Sequence, residues 1–395
     1  MTIGFFIPSY LPNLGGAEVL LHNYLINLKN KKKKIILLIS FETWIKLKFN
    51  KINLPYELRV IYFPLIFKIE KILPKLSIFI LSFFVRKVNS NDNIKFWYCV
   101  MLYPSGYLLA NALKNTNIPV ITRAVGIDIQ KYPEINYGYR LDKKINLKIK
   151  ESIKYIKYFI ASSEDVKNEY LKLNIDKEKI IYIPNAINTK IFNDKNLGLY
   201  FKKKYNIKET KKIFLTVTRN HPKKGLKYLL EAIKIYSNKR KNEDVIFILY
   251  GKNIDKLNKE IEKLNIKNYC LTISEDLDNR DFEDYLPSRL LRSAYAASDY
   301  FILPSLIETF GIVLIEAMAA KCAIISTKTE GCNSVLMNGE YGIQVEIKNS
   351  NELFKSIILF LDNDSMVDNF LNKCQKRVLD FSLENAIKKL LDLKL

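Results

Sequence analysis

The amino-acid sequence predicts an α/β protein with two domains of the same kind, each built on a parallel sheet. Short apolar runs alternate with longer helical patterns along the chain, which is typical of βα units. The alternation begins again in the second half, and 395 residues suit two domains of about 100–200 residues each. An apolar fraction of 48%, with only 13 glycines and 12 prolines, excludes fibrous and disordered classes.

The predicted elements follow the apolar runs in chain order. The strands of the first half are predicted at Ile3–Pro8, Ile35–Ser40, Leu58–Phe63, Phe96–Leu102, Val120–Arg123, Phe159–Ser162 and Ile180–Ile183. Those of the second half are predicted at Ile213–Thr218, Val245–Tyr250, Cys270–Ile273, Tyr300–Leu303 and Ala323–Ser326. We expect a first domain over 1–195, a second over 196–379 with a junction near 193–198, and a C-terminal helix over 380–395 that packs back on the first domain.

Histidine and cysteine usage narrows the possible chemistry. His22 and His221 are the only histidines and are far apart in sequence, which argues against a multi-histidine zinc site. The five cysteines form no CxxC pair, so we interpret them as reduced thiols of a cytosolic protein. The N-terminus lacks the pattern of a signal peptide, and the longest strongly apolar run, Leu76–Val85, is too short to cross a bilayer.

The formal charge of +22 is concentrated in the first half of the chain. Residues 1–195 carry 31 basic and 15 acidic side chains, whereas residues 196–395 carry 32 and 26. Fifty-three of the 63 basic residues are lysine, so an AT-biased coding sequence accounts for part of the excess. The segment Ile61–Val88 is rich in apolar residues and flanked by Lys and Arg. It is either a core helix or a helix that lies in an anionic membrane interface.

Two loops that follow predicted strands combine glycine with potential anion ligands. Gly15 and Gly16 precede a helix, whose first turn presents backbone N–H groups to an anion. The loop Val217–Gly225 carries Arg219 and Lys224, which together could neutralise a diphosphate without metal. Solvated basic residues are the structural alternative for this loop, although arginine is scarce in this chain.

The segment Leu303–Ala320 carries the strongest functional signal. A predicted strand ends, a turn carries Glu308, and a helix begins near Gly311 that is apolar on every side except at Glu316. A carboxylate buried without partners costs several kcal/mol, so Glu316 must face a cleft or accept hydrogen bonds. A pair of sugar hydroxyls would satisfy it; a backbone cap or a buried water is the structural alternative.

These residues resemble the family-4 retaining glycosyltransferases, which have the GT-B fold of two Rossmann-like domains facing each other across a cleft. The resemblance covers nearly the whole chain, and its most specific part is the E-x7-E spacing of Glu308 and Glu316 in a Pro-Ser…Glu-Thr-Phe-Gly setting. Supporting segments are Gly15-Gly16-Ala17-Glu18, Pro184-Asn185-Ala186-Ile187-Asn188 and the loop from Arg219 to Lys224-Gly225.

The resemblance implies a role for each matching residue. Arg219 and Lys224 would hold the diphosphate of a nucleotide-sugar, Glu316 the ribose hydroxyls and Glu308 a hydroxyl of the sugar. The expected donor-binding set is Gly15, Gly16, Arg219, Lys224, Glu308, Phe310, Gly311 and Glu316, of which Arg219, Lys224 and Glu308 are also the expected catalytic residues.

The acceptor side departs from the family pattern. Many members have a histidine in the loop that reads Arg123-Ala-Val-Gly-Ile-Asp128 here, at the position of Val125. Arg123 and Asp128 are therefore the expected acceptor-binding residues. The resemblance also implies retention of configuration, in which a phosphate oxygen takes the acceptor proton and charge stabilisation of the leaving diphosphate is the main requirement.

The sequence thus predicts a hexosyltransferase without metal or other cofactor, located in the cytoplasm and peripheral on the inner face of the cell membrane. Its expected partners are a nucleoside-diphosphate sugar, a lipid-linked or surface-glycan acceptor and an anionic membrane, but not nucleic acid. One alternative is a metal-dependent transferase that uses Asp276 and Asp278, or Asp362 and Asp364. The other is a non-enzymatic protein that binds nucleic acid or anionic surfaces.

Overall fold

A computed structural model describes residues 1–13, 15–192, 194–240, 244–274 and 282–395. The chain forms two compact units. The first comprises Met1–Asn185, Asp278–Leu286 and Leu383–Leu395, and the second comprises Ala186–Leu277 and Pro287–Ser382. The division after Asn185 falls before the expected boundary at 195/196, and the expected junction near 193–198 instead contains the start of a helix at Lys195.

The first unit is built on a parallel sheet of seven described strands in the order β3-β2-β1-β4-β5-β6-β7. The strands are β1 Thr2–Phe6, β2 Lys34–Ser40, β3 Glu57–Ile61, β4 Ile94–Val100, β5 Val120–Arg123, β6 Tyr158–Ala161 and β7 Ile180–Tyr182. The helices are α1 Gly16–Asn30, α2 Phe41–Phe49, α3 Ile66–Ile72, α4 Pro74–Asp92, α5 Tyr107–Leu113, α6 Lys143–Ser152, α7 Glu164–Lys172 and α16 Leu383–Leu391.

The second unit is built on a parallel sheet of six described strands in the order β10-β9-β8-β11-β12-β13. The strands are β8 Lys212–Val217, β9 Val245–Tyr250, β10 Cys270–Ile273, β11 Tyr300–Leu303, β12 Ala323–Thr327 and β13 Ile343–Val345. The helices are α8 Lys195–Lys204, α9 Leu226–Arg240, α10 Asn258–Lys263, α11 Arg289–Ala297, α12 Ile312–Ala319, α13 Glu330–Leu336, α14 Ser350–Asp362 and α15 Asp364–Arg377.

The two parallel sheets confirm the predicted α/β class, and each of the twelve predicted strands coincides with an observed one. The continuous apolar runs succeed as predictors because a parallel sheet is buried on both faces. Strand β13 was missed, since three residues that include Gln344 give too short an apolar run to stand out.

In both sheets the strand order reverses next to the first strand of the unit. The switch lies between β1 and β4 in the first unit and between β8 and β11 in the second. Loops that leave the carboxyl ends of the two central strands diverge at such a point, which opens a crevice where ligands of α/β sheets bind. This topology directs attention to the loops after β1, β4, β8 and β11.

The segment around residue 284 belongs to the first unit although it follows β10 in sequence. The His22 Nε2 lies 2.9 Å from the carbonyl oxygen of Asp284, and the Asn23 amide makes two hydrogen bonds of 2.8 Å with the backbone of Leu286. Burial lowers the pKa of His22 to about 4, so the ring is neutral at physiological pH. His22 therefore holds this segment as a neutral hydrogen-bonding group.

The segment Ile61–Val88, for which the sequence left two interpretations open, folds mainly into α3 and α4. One side of α4 is buried through Ser77, Leu81, Val85 and Val88, while other apolar side chains of the helix remain exposed. The segment is thus partly core, and its outer side requires a separate explanation. Among the described residues, no helix combines the length and apolarity needed to cross a membrane.

Candidate active site

The candidate site of the second unit lies at its switch point, where the loops after β8 and β11 meet. The amide of Leu306 donates to the carbonyl of Lys223 at 2.7 Å, which joins the two loops directly. Gly225 has φ +63°, and a Cβ there would lie 2.0 Å from the carbonyl oxygen of Pro304. Only glycine permits this close approach of the backbones. Gly225 therefore determines how closely the basic loop, Val217–Gly225, packs against the turn that carries Glu308.

Lys224 and Glu308 form an ion pair across these loops. The Lys224 Nζ lies 2.5 Å from Glu308 Oε2, and the two side chains are only 14% and 16% exposed. Burial would raise the pKa of Glu308, but the adjacent Lys224 ammonium outweighs burial and holds that pKa below its usual value. The pair supplies a cation for a phosphate and a carboxylate for a hydroxyl at one point of the crevice.

Glu316 is buried on α12, with 4% of its surface exposed. Its Oε2 accepts a hydrogen bond of 2.8 Å from the Tyr295 hydroxyl, which comes from α11. Burial raises the pKa of Glu316 to about 7, and the Tyr295 hydrogen bond opposes that shift. The sequence indicated that this carboxylate would need a partner, and the structure provides one from a helix that carried no functional signal.

The remaining residues of the basic loop differ in exposure. Arg219 is exposed, whereas Lys223 is half-buried. Burial lowers the pKa of Lys223 to about 8, and the charges of Lys224 and Arg219 act in the same direction. The sequence analysis passed over Lys223, although two adjacent lysines just before the glycine were a visible signal.

The turn after Glu308 is held by backbone contacts. The Phe310 ring is buried and packs edge-on against Phe381, with ring centroids 5.7 Å apart, so only the backbone of Phe310 is available to a ligand. Gly311 has φ +80° and begins α12 without a side-chain cap. Gly331 donates its amide to the carbonyl of Glu308 at 3.1 Å, and its lack of a Cβ allows that approach. Gly331 was not singled out from the sequence.

In the first unit, Gly15 and Gly16 lie where the sequence placed them, between β1 and α1. Gly15 is the residue before the helix and provides no side-chain cap. A Cβ on Gly15 would come within 2.6 Å of the Glu18 carboxylate, so the turn is tightly built. These two glycines belong to the first unit, whereas the other expected donor-binding residues belong to the second.

Arg123 and Asp128, the expected acceptor-binding residues, are buried and already hydrogen-bonded to the protein. Arg123 donates to the Ile183 carbonyl at 2.9 Å and to Asn185 Oδ1 at 2.7 Å. Asp128 has no exposed surface and accepts hydrogen bonds from the amides of Val125, Gly126 and Leu102. Burial raises the pKa of Asp128 to about 6. Both side chains thus hold the loops after β4 and β5 in place, and their expected role in acceptor binding stays a prediction.

The structure describes only one of the two aspartate pairs of the metal-dependent alternative. Asp276 and Asp278 lie outside the described residues. Asp362 ends α14 and pairs with Arg240, while Asp364 begins α15. In the described part of the chain, no group of three or more His, Cys, Asp or Glu side chains is arranged to hold a metal ion.

Comparison with known proteins agrees with this geometry. Residues 200–377 match the family model described as "Glycosyl transferases group 1", a span that contains every charged residue of the second-unit site. The chain is 26% identical over 300 residues to a probable sucrose-phosphate synthase from Thermosipho melanesiensis, a match that covers 71% of this chain but only 65% of that relative.

Two further comparisons are with a related enzyme and with a solved structure. Over 315 residues the chain is 26% identical to the N,N'-diacetylbacillosaminyl-diphospho-undecaprenol alpha-1,3-N-acetylgalactosaminyltransferase of Campylobacter jejuni, covering 71% of this chain and 77% of that protein. The crystal structure of Anabaena Alr3699/HepE in complex with UDP and glucose superposes on this chain with a TM-score of 0.75 at 16% identity, and the match covers 99% of this chain and 98% of that one. The chain has the GT-B fold, and the findings together support a glycosyltransferase of group 1.

Proposed function

We propose that this protein is a retaining glycosyltransferase that moves a hexose from a nucleoside-diphosphate sugar to a lipid-linked or surface-polysaccharide acceptor. The observation that carries the proposal is the Lys224–Glu308 ion pair at the switch point of the second sheet, next to the helix α12 that carries the buried Glu316. The Campylobacter relative is named for transfer to a diphospho-undecaprenol sugar, which supports an acceptor of that class.

The donor would be held by groups of complementary chemistry. Lys224 and the exposed Arg219 supply positive charge for the diphosphate, and the uncapped start of α12 adds the positive end of a helix dipole. Glu316, as a carboxylate, can accept hydrogen bonds from two ribose hydroxyls. Glu308 would accept a hydrogen bond from a hydroxyl of the transferred sugar.

Catalysis in this proposal is electrostatic. As the bond from the sugar to the diphosphate breaks, negative charge grows on the leaving phosphate, and Lys224 and Arg219 stabilise it. The acceptor hydroxyl attacks on the face that the diphosphate leaves, and a phosphate oxygen of the leaving group takes its proton. Without a ligand, Glu308 is paired with Lys224. Diphosphate binding would move the Lys224 ammonium from Glu308 to the phosphate and leave the carboxylate free to bind the sugar.

We place the enzyme in the cytoplasm at the inner face of the membrane and propose that it works without metal. The test is a thermal-shift screen of nucleotide-sugars, since a ligand that binds only the folded state raises the melting temperature. The donor that scores best is then used in a transfer assay with and without EDTA. Full activity in EDTA and an unchanged anomeric configuration in the product support the proposal; a requirement for Mg²⁺ or Mn²⁺ would favour the Asp-x-Asp alternative.

A further inference from the structure

The outer side of α3 and α4 exposes an unusual concentration of large apolar side chains. Of the twenty exposed large apolar residues among the described ones, seven lie between positions 62 and 83. Phe79 and Phe83 are 73% and 63% exposed, and Leu76 shares their helix face because the three are spaced i, i+3 and i+7. Scattered exposed apolar residues are normal in a soluble protein, but a concentration of this kind marks an interaction site.

Helix α4 is firmly attached to the first unit, so this exposure does not come from a loosely packed helix. Leu81, Val85 and Val88 are buried on the opposite side, within the core beneath the sheet. The hydroxyl of Ser77 donates to the Ile66 carbonyl and that of Ser82 to the Ala112 carbonyl, both at 3.2 Å. The helix therefore has one apolar side that packs on the protein and a second that is left exposed by the part of the chain that the structure describes.

The charged side chains exposed by the same segment are all basic. Residues 62–91 contain one acidic side chain, Glu70, which is buried and paired with Lys148 at 2.6 Å. The exposed charged residues of the segment are all cations: Lys68, Lys71, Lys75, Arg86 and Lys87. Among the described residues, these five take part in no ion pair. Cations that border exposed aromatic side chains match the head groups and the acyl boundary of an anionic bilayer.

We propose that this surface, formed by Ile72, Leu73, Leu76, Phe79 and Phe83 with the five cations around them, docks onto an anionic lipid membrane with α4 in the plane of the interface. A second copy of the chain fits less well, since two such faces would bring ten positive charges together without a counter-charge. The surface goes beyond the proposed transfer activity and is independent of the nucleotide site.

The test is co-sedimentation of the full-length protein with phosphatidylcholine vesicles, with and without phosphatidylglycerol, at low and high NaCl. We expect the partition coefficient to be at least about tenfold higher on the anionic vesicles and to fall with salt. The double variant Phe79→Ser/Phe83→Ser should lower it by about tenfold or more. The matched control is Leu199→Ser/Leu379→Ser, which removes two similarly exposed apolar side chains from the second unit and should leave binding unchanged. Phe84 is kept, because it packs partly against the core.

A charge variant separates this surface from the overall positive charge. Lys71→Glu/Lys75→Glu should weaken partitioning by about fivefold or more per lysine, whereas Lys259→Glu/Lys263→Glu on α10 changes the net charge equally and should have little effect. Equal binding to neutral vesicles, no binding at low salt, or equal losses from both lysine pairs would overturn the proposal. So would a concentration-dependent dimer that disappears in Phe79→Ser/Phe83→Ser. Thermal shifts of the same variants in the nucleotide-sugar screen report the nucleotide site separately: vesicle binding without a response to any of the nucleotide-sugars would refute the proposed function and leave this surface intact.

Discussion

The two switch points of the molecule have the same topology but use their charged residues differently. In the second unit, Lys224 and Glu308 pair with each other and keep part of their surface exposed. In the first unit, Arg123 and Asp128 are buried, and their hydrogen bonds go to backbone groups, Asn185 and Tyr98. A ligand can replace one partner of a partly exposed ion pair, but it cannot displace the protein's own backbone without unfolding a loop.

This contrast shows that a charged residue after a strand of a parallel sheet is not by itself a ligand-binding residue. Arg123 donates to the Tyr98 hydroxyl, the Ile183 carbonyl and Asn185 Oδ1, so its charge is spread over neutral oxygens that it holds in place. The two units should therefore respond oppositely to mutation. Changes at the first switch point should reduce stability, and changes at the second should reduce activity.

The largest effect is expected for Arg123→Ala. The variant leaves a cavity and removes the donors of the Ile183 carbonyl and Asn185 Oδ1, so we expect the free energy of unfolding to fall by about 3 kcal/mol. Urea denaturation measures this directly. Arg219→Ala, at an exposed site of the second unit, serves as the control and should change stability by less than ~0.5 kcal/mol. If both variants unfold at the same urea concentration as the wild type, the proposed contrast is wrong.

Glu316→Gln should weaken donor binding by about thirtyfold, or ~2 kcal/mol, because a neutral amide cannot replace two charge-assisted hydrogen bonds to ribose. Isothermal titration with the donor from the thermal-shift screen measures the change. Wild-type affinity should fall as the pH drops through about 7, where Glu316 takes up a proton, and the variant should lack this dependence. Tyr295→Phe removes the hydrogen bond that lowers the pKa of Glu316, so its midpoint should move to higher pH.

The Glu316→Gln variant also tests how the raised pKa of Glu316 affects the stability of the fold as pH changes. The folded-state pKa of Glu316 is raised from 4.5 to about 7, so the protonated form favours folding and this contribution is lost as pH rises through 7. Without donor, Glu316→Gln should therefore melt above the wild type at pH 8 and close to it near pH 4.5. A variant that melts below the wild type at pH 8 would show that the carboxylate stabilises the fold.

Lys224→Ala and Arg219→Ala should each reduce turnover by at least about tenfold, equivalent to ~1.4 kcal/mol of transition-state stabilisation, if they neutralise the leaving diphosphate. Steady-state kinetics with saturating donor separates this from a loss of binding. Lys227→Ala provides the control, since Lys227 is exposed on the helix that follows and lies outside the site. Normal turnover in both loop variants would remove the basis of the metal-free mechanism.

The sequence was sufficient for the fold and for the expectation that the Glu316 carboxylate needs a partner, for physical reasons. Buried parallel strands produce continuous apolar runs, which made the strands visible. A lone glutamate in an otherwise apolar helix must face a cleft or accept hydrogen bonds, which singled out Glu316. It could not reveal Tyr295, because a tyrosine in an amphipathic helix gives no sign of which distant carboxylate it will meet. It could not reveal the burial of Arg123 for a related reason: charge is visible in a sequence, but burial depends on contacts with residues sixty positions away.

The smallest effect concerns the ion pair itself and uses Glu308→Gln. Lys224 is now neutralised by Glu308, so diphosphate must compete with that carboxylate for the ammonium. Removing the carboxylate's charge should make UDP, used here as the probe, bind about threefold more tightly, while turnover falls because the sugar hydroxyl loses its acceptor. Ser305→Ala is the control, since Ser305 contacts the same Glu308 oxygen at 3.4 Å without altering charge, and it should leave UDP affinity unchanged. UDP affinity and turnover are expected to change in opposite directions only if the ligand must break the Lys224–Glu308 ion pair in order to bind. If Glu308→Gln weakens UDP binding instead, the carboxylate holds Lys224 in position for phosphate, and the second switch point works by rigid positioning, as the first one does.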